Sequence, residues 1–209
     1  MEAANQMSMK HVFKKGEAGN QNTLLLLHGT GGDEHDLIPI SEMIDPGAAV
    51  LSVRGNVDEN GMNRFFRRLA EGVFDEEDLI NRTKELKDFV DQAAEQYEFE
   101  RKHVVAVGYS NGANIAGSLL YHYEKSLKGA ALLHPMVPRR GIDIPSLQGI
   151  SVFIGAGAND PICPPEETKE LDKTLSEAGA AVDVFWANQG HQLTREEIDQ
   201  VKAWYEKNM

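Results

Sequence analysis

The chain reads as an α/β protein, a mostly parallel central sheet flanked by helices on both faces. Two features predict this. Short apolar runs alternate with longer amphipathic ones along the whole chain, and the short runs are continuously apolar rather than alternating, as expected of strands buried on both sides. A third feature concerns the breaks: the turns that follow the apolar runs are rich in Gly, Asp, Asn and His. In such sheets function gathers at the carboxyl ends of the strands.

In chain order, the candidate strands are Thr23–His28, Ala48–Val53, His103–Val107, Lys128–Leu133, Ile150–Ala156 and Ala181–Trp186, with a weaker edge strand at His11–Lys15. Candidate helices are Leu37–Ile44, Leu79–Tyr97, Asn111–Tyr123, Glu166–Ala178 and Thr194–Asn208. Two carry start signals. Thr194 with Glu197 has the spacing of a capping box, and Pro164-Pro165 followed by Glu166 and Glu167 suits a first turn. Ile198, Val201, Trp204 and Tyr205 share one face of the last helix. The segment from Arg54 to Phe74 is the longest without an obvious strand.

At 209 residues, with 41% hydrophobic and 26% charged residues, the chain suits one globular domain, 1–209. A net charge of −12 argues against nucleic acid or an anionic membrane as partner. The longest aliphatic run, Leu24 to Leu27, is far too short to cross a bilayer. Met1 to Lys10 lacks an apolar stretch of the export type and is expected to be poorly ordered. One cysteine, Cys163, excludes an internal disulfide and fits a reducing, cytoplasmic setting. No metal or cofactor is implied, and a homodimer stays open.

The chemistry centres on Gly108-Tyr109-Ser110-Asn111-Gly112, a G-x-S-x-G between a strand and a helix. A serine on such a turn projects its hydroxyl above the sheet at the positive end of a helix. Alone the pattern is weak, because a hydroxyl at neutral pH needs a base and the base needs an orienting carboxylate. Among seven histidines, His11 and His103 open strands, His122 lies late in a helix, His28 ends a strand as loop support, and His35 sits in a polar loop. His134 follows a strand but precedes any candidate Asp. His191 follows the last strand and directly precedes a capped helix, which makes it the candidate base.

Asp143, Asp172 and Asp183 lie in a loop before a strand, inside a helix and inside a strand, whereas Asp160 comes just after one, beside Pro161. The order Ser110, Asp160, His191 is that of α/β-hydrolases. For a developing oxyanion the candidate donors are the backbone N–H groups of Thr30, in His28-Gly29-Thr30-Gly31-Gly32-Asp33, and of Asn111. A Gly-rich turn without that duty is the alternative.

Four motifs in register resemble the small bacterial carboxylesterases of the phospholipase/carboxylesterase family: His28-Gly29-Thr30-Gly31-Gly32-Asp33, Gly108-Tyr109-Ser110-Asn111-Gly112, Asn159-Asp160-Pro161 and Gly190-His191. That family also holds acyl-protein thioesterases and lysophospholipases. The resemblance runs from about Thr23 to the C-terminus. It implies an α/β-hydrolase fold, a triad at Ser110, Asp160 and His191, and oxyanion donors at Thr30 and Asn111. The thioesterase branch usually carries Leu in place of Thr30 and Gln-Gly-Gly in place of Asn111-Gly112-Ala113, which weighs against protein deacylation. Arg54-Gly55-Asn56-Val57 through Arg64-Phe65-Phe66-Arg67-Arg68 is similar to a subgroup of bacterial hydrolases associated with quinone and hydroquinone resistance.

Only the residues from His134 to Gly149 separate two candidate strands, too few for a separate lid domain. An open site suits a small-molecule ester. Candidate pocket residues are Phe65, Phe66, His134 and Met136; the two phenylalanines could instead pack a short helix onto the core. Cys163 is either a small apolar filler or a redox sensor. The expected activity is therefore serine esterase chemistry. Thioester or lysophospholipid hydrolysis, or non-catalytic binding of a small aromatic ligand, are the alternatives.

Overall fold

The computed structural model describes residues 7–209, and the expectation for the N-terminus falls partly outside them, at residues 1–6. Met7 to Lys10 are placed, contrary to the expectation of poor order. Met9 is buried, and the Arg54 N–H donates to the Lys10 carbonyl at 2.8 Å.

The elements follow one another as β1 (His11–Lys14), β2 (Thr23–Leu27), α1 (Ile38–Ile44), β3 (Ala49–Val53), β4 (Val57–Glu59), β5 (Met62–Arg64), β6 (Arg68–Ala70), β7 (Val73–Phe74) and α2 (Glu76–Tyr97). Next come β8 (Val104–Tyr109), α3 (Asn111–His122), β9 (Gly129–Leu133), β10 (Ser151–Gly157), α4 (Pro165–Glu177), β11 (Ala181–Ala187) and α5 (Arg195–Asn208). The main sheet has seven strands in the order β1-β3-β2-β8-β9-β10-β11. Only the β1–β3 pair is antiparallel; the others are parallel.

Alternation along each strand divides the core into two layers. Leu25, Leu27, Ala106, Leu132 and Ile154 face Leu86 and Phe89 of α2, Ile115 and Leu119 of α3, and Leu171 and Leu175 of α4. Their neighbours Leu24, Leu26, Val105, Val107 and Leu133 face Leu37 and Ile44 at the two ends of α1, and Ile198, Val201 and Trp204 of α5. Strands buried on both faces gain apolar burial from every residue, which is why they read as unbroken apolar runs.

Two sequence expectations need correction. The Arg54–Phe74 segment contains two short antiparallel hairpins, β4–β5 and β6–β7, and no helix. Strands of two or three residues leave no period to detect, but Asn60-Gly61, with both φ values positive, is the turn signal that marks the first hairpin. Helix α2 also begins earlier than Leu79, because the Asp75 carboxylate accepts the Asp78 N–H at 3.1 Å and Glu76, Glu77 and Asp78 fill the first turn. Among the described residues no helix is long and apolar enough to span a membrane.

Candidate active site

Ser110 stands between β8 and α3 with φ 52° and ψ −114°, a left-handed conformation that a non-glycine residue adopts only under constraint. Three ties impose it. The Ser110 N–H donates to the Leu133 carbonyl at the end of β9 (2.9 Å), and the Ser110 carbonyl accepts the Asn114 N–H in the first turn of α3 (2.9 Å). Gly108 and Gly112 supply the third. A Cβ at Gly108 would stand 2.5 Å from the Gly112 carbonyl oxygen, and one at Gly112 would collide with the Leu27 and His28 carbonyls. The helix therefore starts pressed against the end of β2, with its positive end beneath the serine.

His191 lies in the loop after β11. Its Nε2 is 2.8 Å from Ser110 Oγ and its Nδ1 is 2.7 Å from Asp160 Oδ2. Tyr109, next to the serine, holds this loop by donating its hydroxyl to the His191 carbonyl at 2.8 Å. Burial pushes the Tyr109 phenol up to about 12, so it stays a donor at any ordinary pH. Asp160 sits in the turn after β10 with its side chain fully enclosed. Its Oδ1 accepts the N–H groups of Ile162 and Cys163 at 2.8 and 3.0 Å. Burial alone would raise the carboxyl; the Cys163 N–H and the two histidines outweigh it and hold it below the usual carboxylate range.

Behind Asp160 the structure holds a residue pair that sequence reasoning assigned elsewhere. His134 does not line the pocket. It is buried after β9 at φ 55°, with Nδ1 3.0 Å from Asp160 Oδ2 and Nε2 3.1 Å from Glu197 Oε2. Glu197 itself is buried. Its N–H donates to Thr194 Oγ1 at 3.1 Å, as a capping box requires, but its carboxylate turns into the core toward His134. Gly155 allows this, since a Cβ there would overlap that carboxylate. Glu197 was legible only as a cap, because a helix-start glutamate normally faces water. His134, Asp160 and His191 bring ligand-type atoms within 4.8 Å of one another, and each of those atoms is engaged in the hydrogen bonds just described.

In front of Ser110 lies a cavity of about 290 Å³. Thr30, Asn111, Met136, Met62, Arg64 and Arg68 are among its walls, as are Ile162 and Cys163. Phe65 and Phe66 do not line it. Both are buried in the core against α2 and α3, and no short helix carries them. Their bulk anchors the link between the two hairpins, which a short stretch of sequence could not distinguish from a pocket lining. The hairpins supply the outer wall through Met62, Arg64, Arg68 and Phe74.

Arg64 was not singled out from sequence, yet it organises this wall. Its guanidinium bonds the Thr30 hydroxyl through Nη1 and the Phe66 carbonyl through Nε at 3.1 Å. Burial, reinforced by the nearby Arg68 charge, lowers it to about 10. The Asn111 amide oxygen accepts the Phe65 N–H at 2.7 Å, tying the sharp strand-to-helix elbow at Ser110 to the same link. His28 anchors the glycine loop. Its Nδ1 is 2.6 Å from the Gly29 carbonyl and its Nε2 accepts the Gly55 N–H at 3.0 Å, a pattern that requires the neutral ring. Burial lowers its proton affinity in the same direction. Cys163 is buried and donates its thiol to the His134 carbonyl at 3.3 Å, and burial pushes that thiol well up. This is the environment of a filler and not of a redox sensor.

Residues 54–207 match the dienelactone hydrolase family. MhqD of Bacillus subtilis (strain 168), described as a hydrolase, is 59% identical over 199 residues, which cover 95% of this chain and 98% of that protein. The crystal structure of a Bacillus cereus carboxylesterase is 61% identical and superposes with a TM-score of 0.96, covering 98% of this chain and 96% of that one. YahD, solved with malic acid, is 34% identical with a TM-score of 0.92 over 96% of this chain and 100% of that one.

Proposed function

The chain belongs to the dienelactone hydrolase family of α/β-hydrolases, and from that premise we propose that it is a carboxylesterase cleaving small carboxylic esters through an acyl-enzyme on Ser110. The observation that carries this reading is the chain of hydrogen bonds from Ser110 Oγ through His191 to Asp160, with Ser110 and His191 lining a small cavity. Likeness to the Bacillus cereus carboxylesterase supports the reaction class.

The hydrogen-bond chain supports the following course, which serine-hydrolase chemistry requires. His191 Nε2 takes the Ser110 proton as Oγ adds to the ester carbonyl. The carbonyl oxygen gains negative charge and is met by the N–H groups of Thr30 and Asn111, at the helix positive end. Arg64 holds the Thr30 side chain so that this loop keeps its place. The tetrahedral intermediate collapses, and His191 returns its proton to the leaving alkoxide, which departs as the alcohol. Water then adds to the acyl-enzyme with His191 again as base, releasing the acid and restoring Ser110. Asp160 keeps the His191 Nδ1 protonated throughout and balances the imidazolium.

A cavity of about 290 Å³ is at the small end for ligand sites. Walls that include Arg64, Arg68 and Thr30 suit a compact polar ester better than a long acyl chain. Hydrolysis of long-chain thioesters or lysophospholipids is disfavoured on the same ground. A serine-directed fluorophosphonate should label Ser110, and activated aryl esters should give a burst of alcohol release. Ser110→Ala should fold normally and turn over nothing. Activity that climbs with acyl length would transfer the assignment to lipid substrates. Tight binding of aromatic ligands with no turnover on any ester would refute the enzyme reading.

A further inference from the structure

We propose that His134 and Glu197 act as a buried positioning pair behind the triad: His134 bridges the carboxylates of Asp160 and Glu197 as an imidazolium and thereby sets how strongly His191 holds a proton. The inference rests on the esterase reading of Ser110, His191 and Asp160.

The geometry has two parts. Both ring nitrogens of His134 face carboxylate oxygens, at 3.0 Å (Asp160) and 3.1 Å (Glu197), and all three side chains are shut off from water. A neutral imidazole has one N–H and one bare nitrogen, so facing two carboxylates it would set a lone pair against an oxygen. A second proton on His134 satisfies both contacts and offsets one of two buried negative charges. Burial works against that proton, yet Glu197 first and Asp160 second more than compensate, so His134 holds it more tightly than an ordinary histidine. The placement is also built in by the backbone. His134 takes a left-handed φ of 55° with its N–H bonded to the Gly155 carbonyl at 2.7 Å, and the missing side chain at Gly155 makes room for Glu197.

The direction of the effect follows from the order of charges. Asp160 Oδ2 is shared by His191 and His134, and the two rings lie 5.3 Å apart. The positive end of the His134–Glu197 pair points at Asp160 and His191, and its negative end points away. The pair therefore withdraws part of the field that Asp160 exerts on the base, and removing the pair should let that field act in full. The other groups around these rings are Ser110 and Tyr109 from the β8–α3 turn and Cys163 from the turn before α4. With the Tyr109 phenol and the Cys163 thiol both pushed up by burial, each stays neutral through the pH range concerned.

Glu197→Gln keeps the shape and removes the charge that holds the second proton on His134. Its acid limb in a kcat/KM profile should move up by about one pH unit, so activity near pH 6 falls by roughly tenfold while the alkaline plateau changes less than about threefold. Loss by one factor at every pH would mean a merely structural role and overturn the proposal, as would an unmoved limb. Wild-type protein provides a reading independent of any variant's folding. In 15N-histidine spectra at neutral pH, His134 should show two protonated ring nitrogens, and one bare nitrogen there would overturn the proposal. Absence of Ser110 labelling would instead refute the esterase reading, leaving the His134 spectrum to be judged separately.

Discussion

Gly112 bears more of the elbow's geometry than any polar residue in it. Replacing it with Ala places a Cβ 2.6 Å from the His28 carbonyl oxygen and closer still to the carbonyl of Leu27. Real Cβ atoms do not approach backbone oxygens within 3 Å, so the start of α3 must retreat from β2 by roughly 1 Å against a close-packed interior. Both partners are backbone carbonyls at the end of β2 and directly after it, and neither can swing aside as a side chain would. A cost of ~3 kcal/mol follows for forced overpacking, which in a domain of this size lowers Tm by about 6–12 °C. The same retreat moves Ser110 Oγ and the Asn111 N–H away from His191 and from the oxyanion position, and a misplacement of that size costs ~100-fold in kcat/KM. Thermal denaturation and aryl-ester kinetics measure both effects. Gly190→Ala is the matched control. It neighbours His191, its Cβ would find nothing nearer than the Asn159 carbonyl oxygen at 3.8 Å, and its backbone needs no left-handed φ. It should stay within about threefold of wild type. If Gly112→Ala kept full stability and rate, or Gly190→Ala were the worse of the two, the steric account of the elbow would be wrong.

Other expectations can be checked with the same assays. Asp160→Asn must keep an acceptor toward the Ile162 and Cys163 N–H groups, which turns its amide toward His191 Nδ1 and imposes the wrong tautomer; kcat should fall ~10³–10⁴-fold with the fold intact by circular dichroism. Phe66→Ala should cost about 3–5 kcal/mol in urea unfolding while leaving KM for short esters within about twofold at a temperature where the variant is folded; a large KM change with unaltered stability would restore the pocket role. Cys163 in native protein should alkylate at least ~100-fold more slowly than a free thiol at pH 8, and a fast reaction without unfolding would refute its burial. Acid should destabilise the fold through Asp160 and Glu34. For Glu34, burial raises the carboxyl but the Arg54 hydrogen bond and charge prevail and hold it low. A depressed folded-state value means stability present above the unfolded value near 4 and lost as pH falls through the folded one. Urea midpoints should accordingly drop below about pH 4, and less steeply in Glu34→Gln; an equal slope in the variant would exclude Glu34 as a contributor.

Much of this molecule was legible in one dimension for a physical reason. Strands buried on both faces must be apolar throughout, so the inner parallel strands left nearly unbroken runs, while the half-exposed edge strand β11 keeps Asp183 mid-strand, and α3 to α5 were found within a residue or two of their ends. The mostly parallel sheet followed from that alternation. Ser110, Asp160 and His191 were nameable because a parallel sheet puts the loops after its strands at one edge, which converts chain order into proximity. Local cues were weaker where elements were short. The Asn60-Gly61 turn marked a hairpin that its three-residue strands could not announce, and Asp75 marked the start of α2 before any apolar residue did.

The tertiary structure alone decided the rest, because it depends on which face a side chain takes. Phe65 and Phe66 have the composition of either a pocket or a core, and the hairpins turn both inward onto α2 and α3. Glu197 satisfies a capping pattern in sequence, but packing of α5 against β10, with Gly155 yielding space, sends its carboxylate to His134. Arg64 is one arginine among several until β5 sets it over Thr30. Sequence thus determined the strands of the main sheet and the helices, their order along the chain and the three groups at the sheet's edge, but not the two hairpins. Packing decided what surrounds them: two buried carboxylates sharing one histidine, and an arginine bonded to Thr30 in the glycine loop that borders the cavity.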